Sequence, residues 1–145
     1  VAGSRGSVIP FFQSLVDQGA KELPITDLQM TRFWIYIEEG VKLVIKAIEN
    51  SVGGEIFISK IPSFKITDLA RAIKPDIKLK EIGIRPGEKI HEVLISEGEA
   101  RLTHDKQIFN TENALKLDSD LNYSSGNSRL LTVEELKKNL RKLKK

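Results

Sequence analysis

Apolar positions recur with a helical period at several places along the chain. Val41, Val44, Ile45 and Ile48 fall at i, i+3, i+4 and i+7, which predicts an amphipathic helix ending at Gly53-Gly54. Ile66, Leu69, Ala70 and Ile73 repeat the stripe until Pro75 stops it. Val133, Leu136, Leu140 and Leu143 form another, covering the segment 129–145. Here Thr132 is a good N-cap, Glu135 completes a capping box, and Leu131 and Leu136 fit a hydrophobic staple. A further helix is predicted over 10–18, with Pro10 in its first turn and Gly19 at its end. Between the helices, 31–37 is rich in aromatic and β-branched residues, 55–59 is similar, and 77–84 alternates. These three segments read as strands, and 23–27 as a turn-rich connection. The order over 10–85 is then α, β, α, β, α, β, which predicts an α/β layer fold with parallel strands. Val93-Leu94-Ile95 and Gln107-Ile108-Phe109 are short strand candidates, and 118–127 is polar and turn-like.

At 145 residues the chain suffices for one domain. No apolar run approaches the roughly 20 residues of a membrane helix. Cysteine is absent, which removes disulfide and thiolate chemistry and fits a reducing, cytoplasmic setting. Two histidines, His91 and His104, are too few to suggest zinc. The first four residues lack the charged and apolar regions of a signal peptide. The net charge is +3, yet Lys137, Lys138, Arg141, Lys142, Lys144 and Lys145 supply six positive charges without an acid, leaving −3 on the body. Basic residues at a helix C-terminus complement its dipole, so the tail reads as a helix end before it reads as a nucleic-acid or membrane contact. It lacks the interleaved aromatics expected for single-strand binding.

The densest chemistry lies in Gly83-Ile84-Arg85-Pro86-Gly87-Glu88-Lys89. Arg85 offers a planar fork of N–H donors to phosphate oxygens. Pro86 and Gly87 set a tight turn, and Glu88 beyond it could accept hydrogen bonds from a sugar diol. The same pair could equally be a surface ion pair; its place after a predicted strand favours a ligand, because strand ends of α/β sheets host them. Arg32, at the head of an aromatic strand, is a second phosphate donor or a snorkelling edge residue. Gly3-Ser4-Arg5-Gly6-Ser7 is a permissive loop before a helix, suited to close backbone approach or to a plain turn. It is not a P-loop, since no Lys-Ser/Thr follows at the needed spacing.

These segments, together with 1–12, 24–27 and 30–35, occur in the same order in one family. The chain resembles the C-terminal part of inverting UDP-N-acetylglucosamine 4,6-dehydratases, which belong to the extended short-chain dehydrogenase/reductases and serve bacterial surface glycan pathways such as that of pseudaminic acid. The match covers 1–95 and returns over 131–136; residues 96–128 match poorly. The resemblance implies the substrate-binding portion of an extended Rossmann-type fold. It also implies that the dinucleotide-binding half, with its glycine-rich loop and catalytic Tyr/Lys pair, lies outside the chain. Consistent with this, the residues four after Tyr36 and Tyr123 are Gly40 and Asn127, not lysine.

Carried over by position, the resemblance implies that Val1, Ala2, Gly3, Ser4 and Arg5 pass near the nicotinamide end of NADP. It implies that Val8 touches the sugar nucleotide near uridine and that Thr26 hydrogen-bonds substrate. Arg85 would bind the diphosphate and Glu88 the ribose. Arg32 matches a position near the phosphates in related epimerases, although Phe33 stands where those carry Asp. The expected partner is a UDP-sugar, with no nucleic acid or membrane partner, and the full-length enzyme is expected to be a homo-oligomer. Two other readings are carried: part of a UDP-sugar 4-epimerase or capsule dehydratase, and a non-enzymatic module using the basic tail.

Overall fold

A computed structural model describes residues 1–53, 56–102, 107–109, 114–116 and 122–143. The first helix, α1 (Val8–Asp17), begins two residues before Pro10, which therefore sits in its first turn. It closes in a Schellman motif: Gly19 adopts φ 83°, its N–H bonds to the Val16 carbonyl, and the Ala20 N–H reaches the Leu15 carbonyl. Ile9 and Phe12 are its buried face.

Strand β1 (Glu22–Ile25) follows, where the sequence suggested only a turn-rich connection. Pro24 lacks a donor and hid the strand, yet Leu23 and Ile25 flank it and are fully buried. Strand β2 (Thr31–Phe33) is shorter than expected, because the chain turns into α2 (Ile37–Asn50). Glu39 starts this helix by accepting from the Tyr36 N–H at 2.8 Å.

Residue 55 of the predicted 55–59 strand lies outside the described residues, and 56–60 carry no strand beyond a bridge at Ile58. The strand forms later, as β3 (Ser63–Lys65), leading directly into α3 (Ile66–Ile73). Strand β4 (Lys78–Glu81) occupies the middle of the predicted 77–84 strand and ends four residues before Arg85.

Beyond it come β5 (Val93–Ile95), α4 (Glu97–Leu102), β6 (Gln107–Phe109), β7 (Ala114–Lys116), β8 (Tyr123–Ser124) and α5 (Val133–Lys142). Helix α4 has no counterpart in the sequence reading. Of the 118–127 segment, 122–127 are described, and there β8 leads into a turn over 125–127.

The pairing differs from the expected parallel layer. Among the described strands only β1 and β4 pair with each other in parallel, with Leu23 opposite Leu79. The pairs β2–β3, β5–β8 and β6–β7 are antiparallel. A parallel bridge from Ser63 to Leu130 adds the segment before α5 to the edge of β3. The core gathers Trp34, Phe64, Leu69, Leu131, Leu136 and Leu140 around β2, β3, α3 and α5. Trp34 meets Phe64 and Tyr36 edge-on, at centroid distances of 5.6 and 5.9 Å. The stripe on α2 stays in solvent: Val41, Val44, Ile45 and Ile48 are all at least half exposed.

The α5 cap forms as its sequence predicts. Thr132 Oγ1 accepts from the Glu135 N–H at 3.2 Å, and Glu135 returns a carboxylate to the Thr132 N–H at 2.9 Å. Backbone donation from Thr132, then the Arg129 guanidinium, holds the Glu135 carboxyl below the usual range. Since its folded pKa is depressed, the stabilisation is present above the unfolded carboxylate pKa and is lost as pH falls through the folded one. Melting curves of Glu135→Ala should therefore lie below the wild type near neutrality and converge with it at acid pH. Curves equally separated at both ends would refute the cap's ionic contribution.

Candidate functional site

Residues 82–92 cross the surface between β4 and β5 as a loop. Its tip is a type II turn: Pro86 takes the second place, Gly87 the third with φ 83°, and the Glu88 N–H closes on the Arg85 carbonyl at 3.0 Å. Any side chain at Gly87 would be strained in that conformation. Arg85 and Glu88 do not form the surface ion pair that the spacing allowed. Glu88 faces Arg32 instead, at 3.8 Å, while its other oxygen lies 3.5 Å from the Arg85 N–H.

Arg32 is held from several sides. Nη1 donates to the Thr31 and Ile90 carbonyls at 2.7 and 3.1 Å, and Nε lies 3.5 Å from Glu92. Its side chain is about one-fifth exposed, so it is neither free in solvent nor snorkelling from an edge. It joins β2 to the far end of the loop. Arg85, by contrast, is exposed and has no carboxylate within ion-pair distance among the described residues. Its fork remains available to an anion.

A cavity of about 770 Å³ opens beside this loop. Its wall includes Val8, Thr26, Arg32, Arg85 and Glu88, so residues 80 positions apart in sequence share one space. Val1, Ala2 and Ser4 also line it; Gly3 and Arg5 do not. Gly3 turns toward α5, where an added Cβ would sit 3.5 Å from Leu143. The loop is tied down by the Ala2 N–H bonding to the Ile35 carbonyl at 2.9 Å. Ser7 is the N-cap of α1 but makes no capping bond, and its hydroxyl is buried against the cavity without a partner among the described residues.

Phe11, Phe33 and Ile82 add apolar surface to the same lining. A cavity of this size, lined by apolar side chains and a few polar and charged groups, suits a molecule with a flat ring and an anionic end. Sequence reasoning missed Glu92, which helps to hold Arg32, and Phe11, which faces outward from α1. Neither belongs to a short motif; only the fold brings them to the loop. His104 lies outside the described residues, whereas His91 bonds Thr31 at 2.7 Å. No transmembrane-length apolar helix and no metal-binding cluster occurs among the described residues.

The model of the family described as polysaccharide biosynthesis protein matches residues 1–113. A UDP-N-acetylglucosamine 4,6-dehydratase (inverting) of Campylobacter jejuni serotype O:2 is 61% identical over 105 residues, covering 72% of this chain and 31% of that protein. A UDP-glucose 4-epimerase of Rickettsia canadensis is 37% identical over 94% of this chain and 46% of its own length. The X-ray structure of Pen from Bacillus thuringiensis superposes with a TM-score of 0.77 at 31% identity, over 98% of this chain and 46% of that one. The chain thus spans about a third to a half of the length of these relatives. The fold is the mixed α/β fold of part of a short-chain dehydrogenase/reductase, and the chain belongs to the polysaccharide biosynthesis protein family.

Proposed function

We propose that the chain is the nucleotide-sugar-binding part of a UDP-N-acetylglucosamine 4,6-dehydratase of the C5-inverting kind, acting in surface glycan biosynthesis. The observation that carries this reading is the shared cavity of Val8, Thr26, Arg32, Arg85 and Glu88, with Arg85 unpaired and directed to it among the described residues. In this reading Arg85 takes the diphosphate, Glu88 accepts from the ribose hydroxyls, and Val8 covers the nucleoside. Thr26, at the end of β1, hydrogen-bonds the sugar nucleotide. Arg32 serves the loop more than phosphate, since Nη1 is held by two carbonyls and the guanidinium faces both Glu88 and Glu92.

Binding energy from the remote nucleotide positions the reacting sugar, which is how this part would contribute to a reaction whose acid–base groups lie elsewhere. In this reading NADP, when bound, would supply the hydride chemistry. The small residues Val1, Ala2 and Ser4 fit an edge contact to that cofactor. Among the described residues no phosphate-binding glycine loop follows a strand, so in this reading the cofactor would be held mainly by the rest of the enzyme. The catalytic pair would come from sequence beyond these residues, leaving the 145 residues inactive alone, and the whole enzyme would be a homo-oligomer.

Calorimetric titration of the chain with UDP and UMP tests the reading. UDP should bind more tightly, because the second phosphate meets Arg85. Equal affinities, or none for either nucleotide, would end it. The 37% identity to a UDP-glucose 4-epimerase favours one alternative, a 4-epimerase with the same nucleotide grip. Product analysis of a full-length protein separates the two: a 4-keto-6-deoxy sugar supports dehydration, and a C4 epimer supports epimerisation.

A further inference from the structure

The grip just proposed is carried by a loop tip with little internal structure. Between the Ile82 N–H bond to Ile25 and the bonds at Ile90, the described backbone bonding is the single Arg85–Glu88 turn. What fixes the tip is therefore how its two ends are anchored. The first end rests on the β1–β4 pair. The second end enters a set of hydroxyl contacts that lies outside the cavity wall.

Thr31, the first residue of β2, is at its centre and is 4% exposed. Its Oγ1 lies 2.7 Å from His91 Nδ1 and 2.7 Å from Ser125 Oγ. Ser125 is fully buried. Its hydroxyl accepts from the Glu92 N–H at 2.9 Å and also faces the Thr31 carbonyl at 3.2 Å. The backbone doubles each link: Thr31 N–H donates to the Ile90 carbonyl at 3.0 Å, and Ser125 N–H to the Glu92 carbonyl at 2.8 Å. Two segments distant in sequence, at Thr31 and at Ser125, thus clamp residues 90–92.

Gly126 completes the clamp by what it lacks. Its backbone is not in the left-handed region, so conformation does not demand glycine there. Space does: a Cβ would stand 2.9 Å from His91 Cγ and 3.1 Å from its Nδ1. The glycine leaves room for the imidazole that bonds Thr31.

We propose that Thr31, His91 and Ser125, seated against Gly126, are positioning residues that set the height of the Arg85–Glu88 turn over the cavity. The inference rests on the nucleotide reading of that cavity. A loop whose end is pinned before the ligand arrives has less freedom to lose on binding, and a pinned fork meets its phosphate in register.

The test is UDP titration of four variants well below their melting temperatures. Thr31→Val keeps the shape and removes the hydroxyl; UDP should bind about tenfold more weakly, the effect of one net hydrogen bond. Thr31→Ser restores the hydroxyl and should stay within about twofold of the wild type. Gly126→Ala leaves every polar group in place, pushes only the His91 ring, and should weaken UDP as Thr31→Val does. In an Arg85→Ala background the Thr31→Val loss should shrink to the part that acts through Glu88; a merely structural role would add in full. Thr31→Val and Gly126→Ala binding UDP like the wild type, or full additivity with Arg85→Ala, would overturn the inference while leaving the nucleotide reading intact. A wild-type chain that does not bind UDP overturns both.

Discussion

Arg85→Ala should weaken UDP binding by about 1.5–3 kcal/mol, roughly tenfold to a hundredfold, the worth of a hydrogen bond to a charged group. The size follows from what surrounds the guanidinium. Arg32 spends Nη1 on two carbonyls and keeps the rest of its guanidinium within ion-pair distance of Glu88 and Glu92, so an incoming diphosphate competes with two carboxylates for it. Arg85 has no such engagement among the described residues. Its loss removes a contact to ligand and leaves no buried partner stranded, so the protein itself should melt as before. Arg85→Lys keeps the charge and loses the planar fork; it should recover part of the affinity. Because Arg85 is exposed, its contribution should shrink as salt rises. Titration of the three proteins at low and high ionic strength reads all of this. An Arg85→Ala protein with wild-type affinity would remove Arg85 from the site.

How far the site could be read from sequence depends on how local its causes are. The Arg85–Glu88 turn was legible because Pro86 and Gly87 dictate a type II turn on their own. The α5 cap was legible for the same reason: Thr132 and Glu135 exchange bonds within four residues. The Schellman end of α1 follows from one glycine. What failed depended on partners. Pro24 argued against a strand, but β4 pairs with the segment and buries its neighbours. The aromatic run 31–37 promised one long strand, yet only its first three residues pair. The alternation over 10–85 suggested parallel strands, whereas of the two described pairs in that span β1–β4 is parallel and β2–β3 antiparallel. Periodicity reports which side of an element is apolar, not which strand it meets. Glu92 and the Thr31–His91–Ser125 contacts were invisible because they join residues up to 94 positions apart. The resemblance to a family supplied Val8 and Thr26, which no local pattern singled out.

The stripes on α2 and α5 look alike in sequence, and their substitution costs should differ most of all. Leu136 is fully buried, in contact with the core that α3 and β3 build, and α5 is joined to β3 through Leu131. Leu136→Ala should cost about 2–5 kcal/mol, the transfer free energy plus a cavity that a packed core only partly closes. Ile48 occupies the corresponding place on α2 but is 75% exposed. Ile48→Ala should change stability by no more than about 0.5 kcal/mol, since solvent already reaches the side chain. Denaturant unfolding measures both, with the midpoint shifting in the first case and holding in the second. A small effect of Leu136→Ala would mean that α5 is not docked as described. A large effect of Ile48→Ala would mean that the α2 stripe is covered in solution. The chain spans about a third of its dehydratase relatives, so that covering surface would be sought first in the part of their fold it does not span. An Ile48→Ala cost that depends on protein concentration would point instead to a second copy, because stabilisation by association follows mass action.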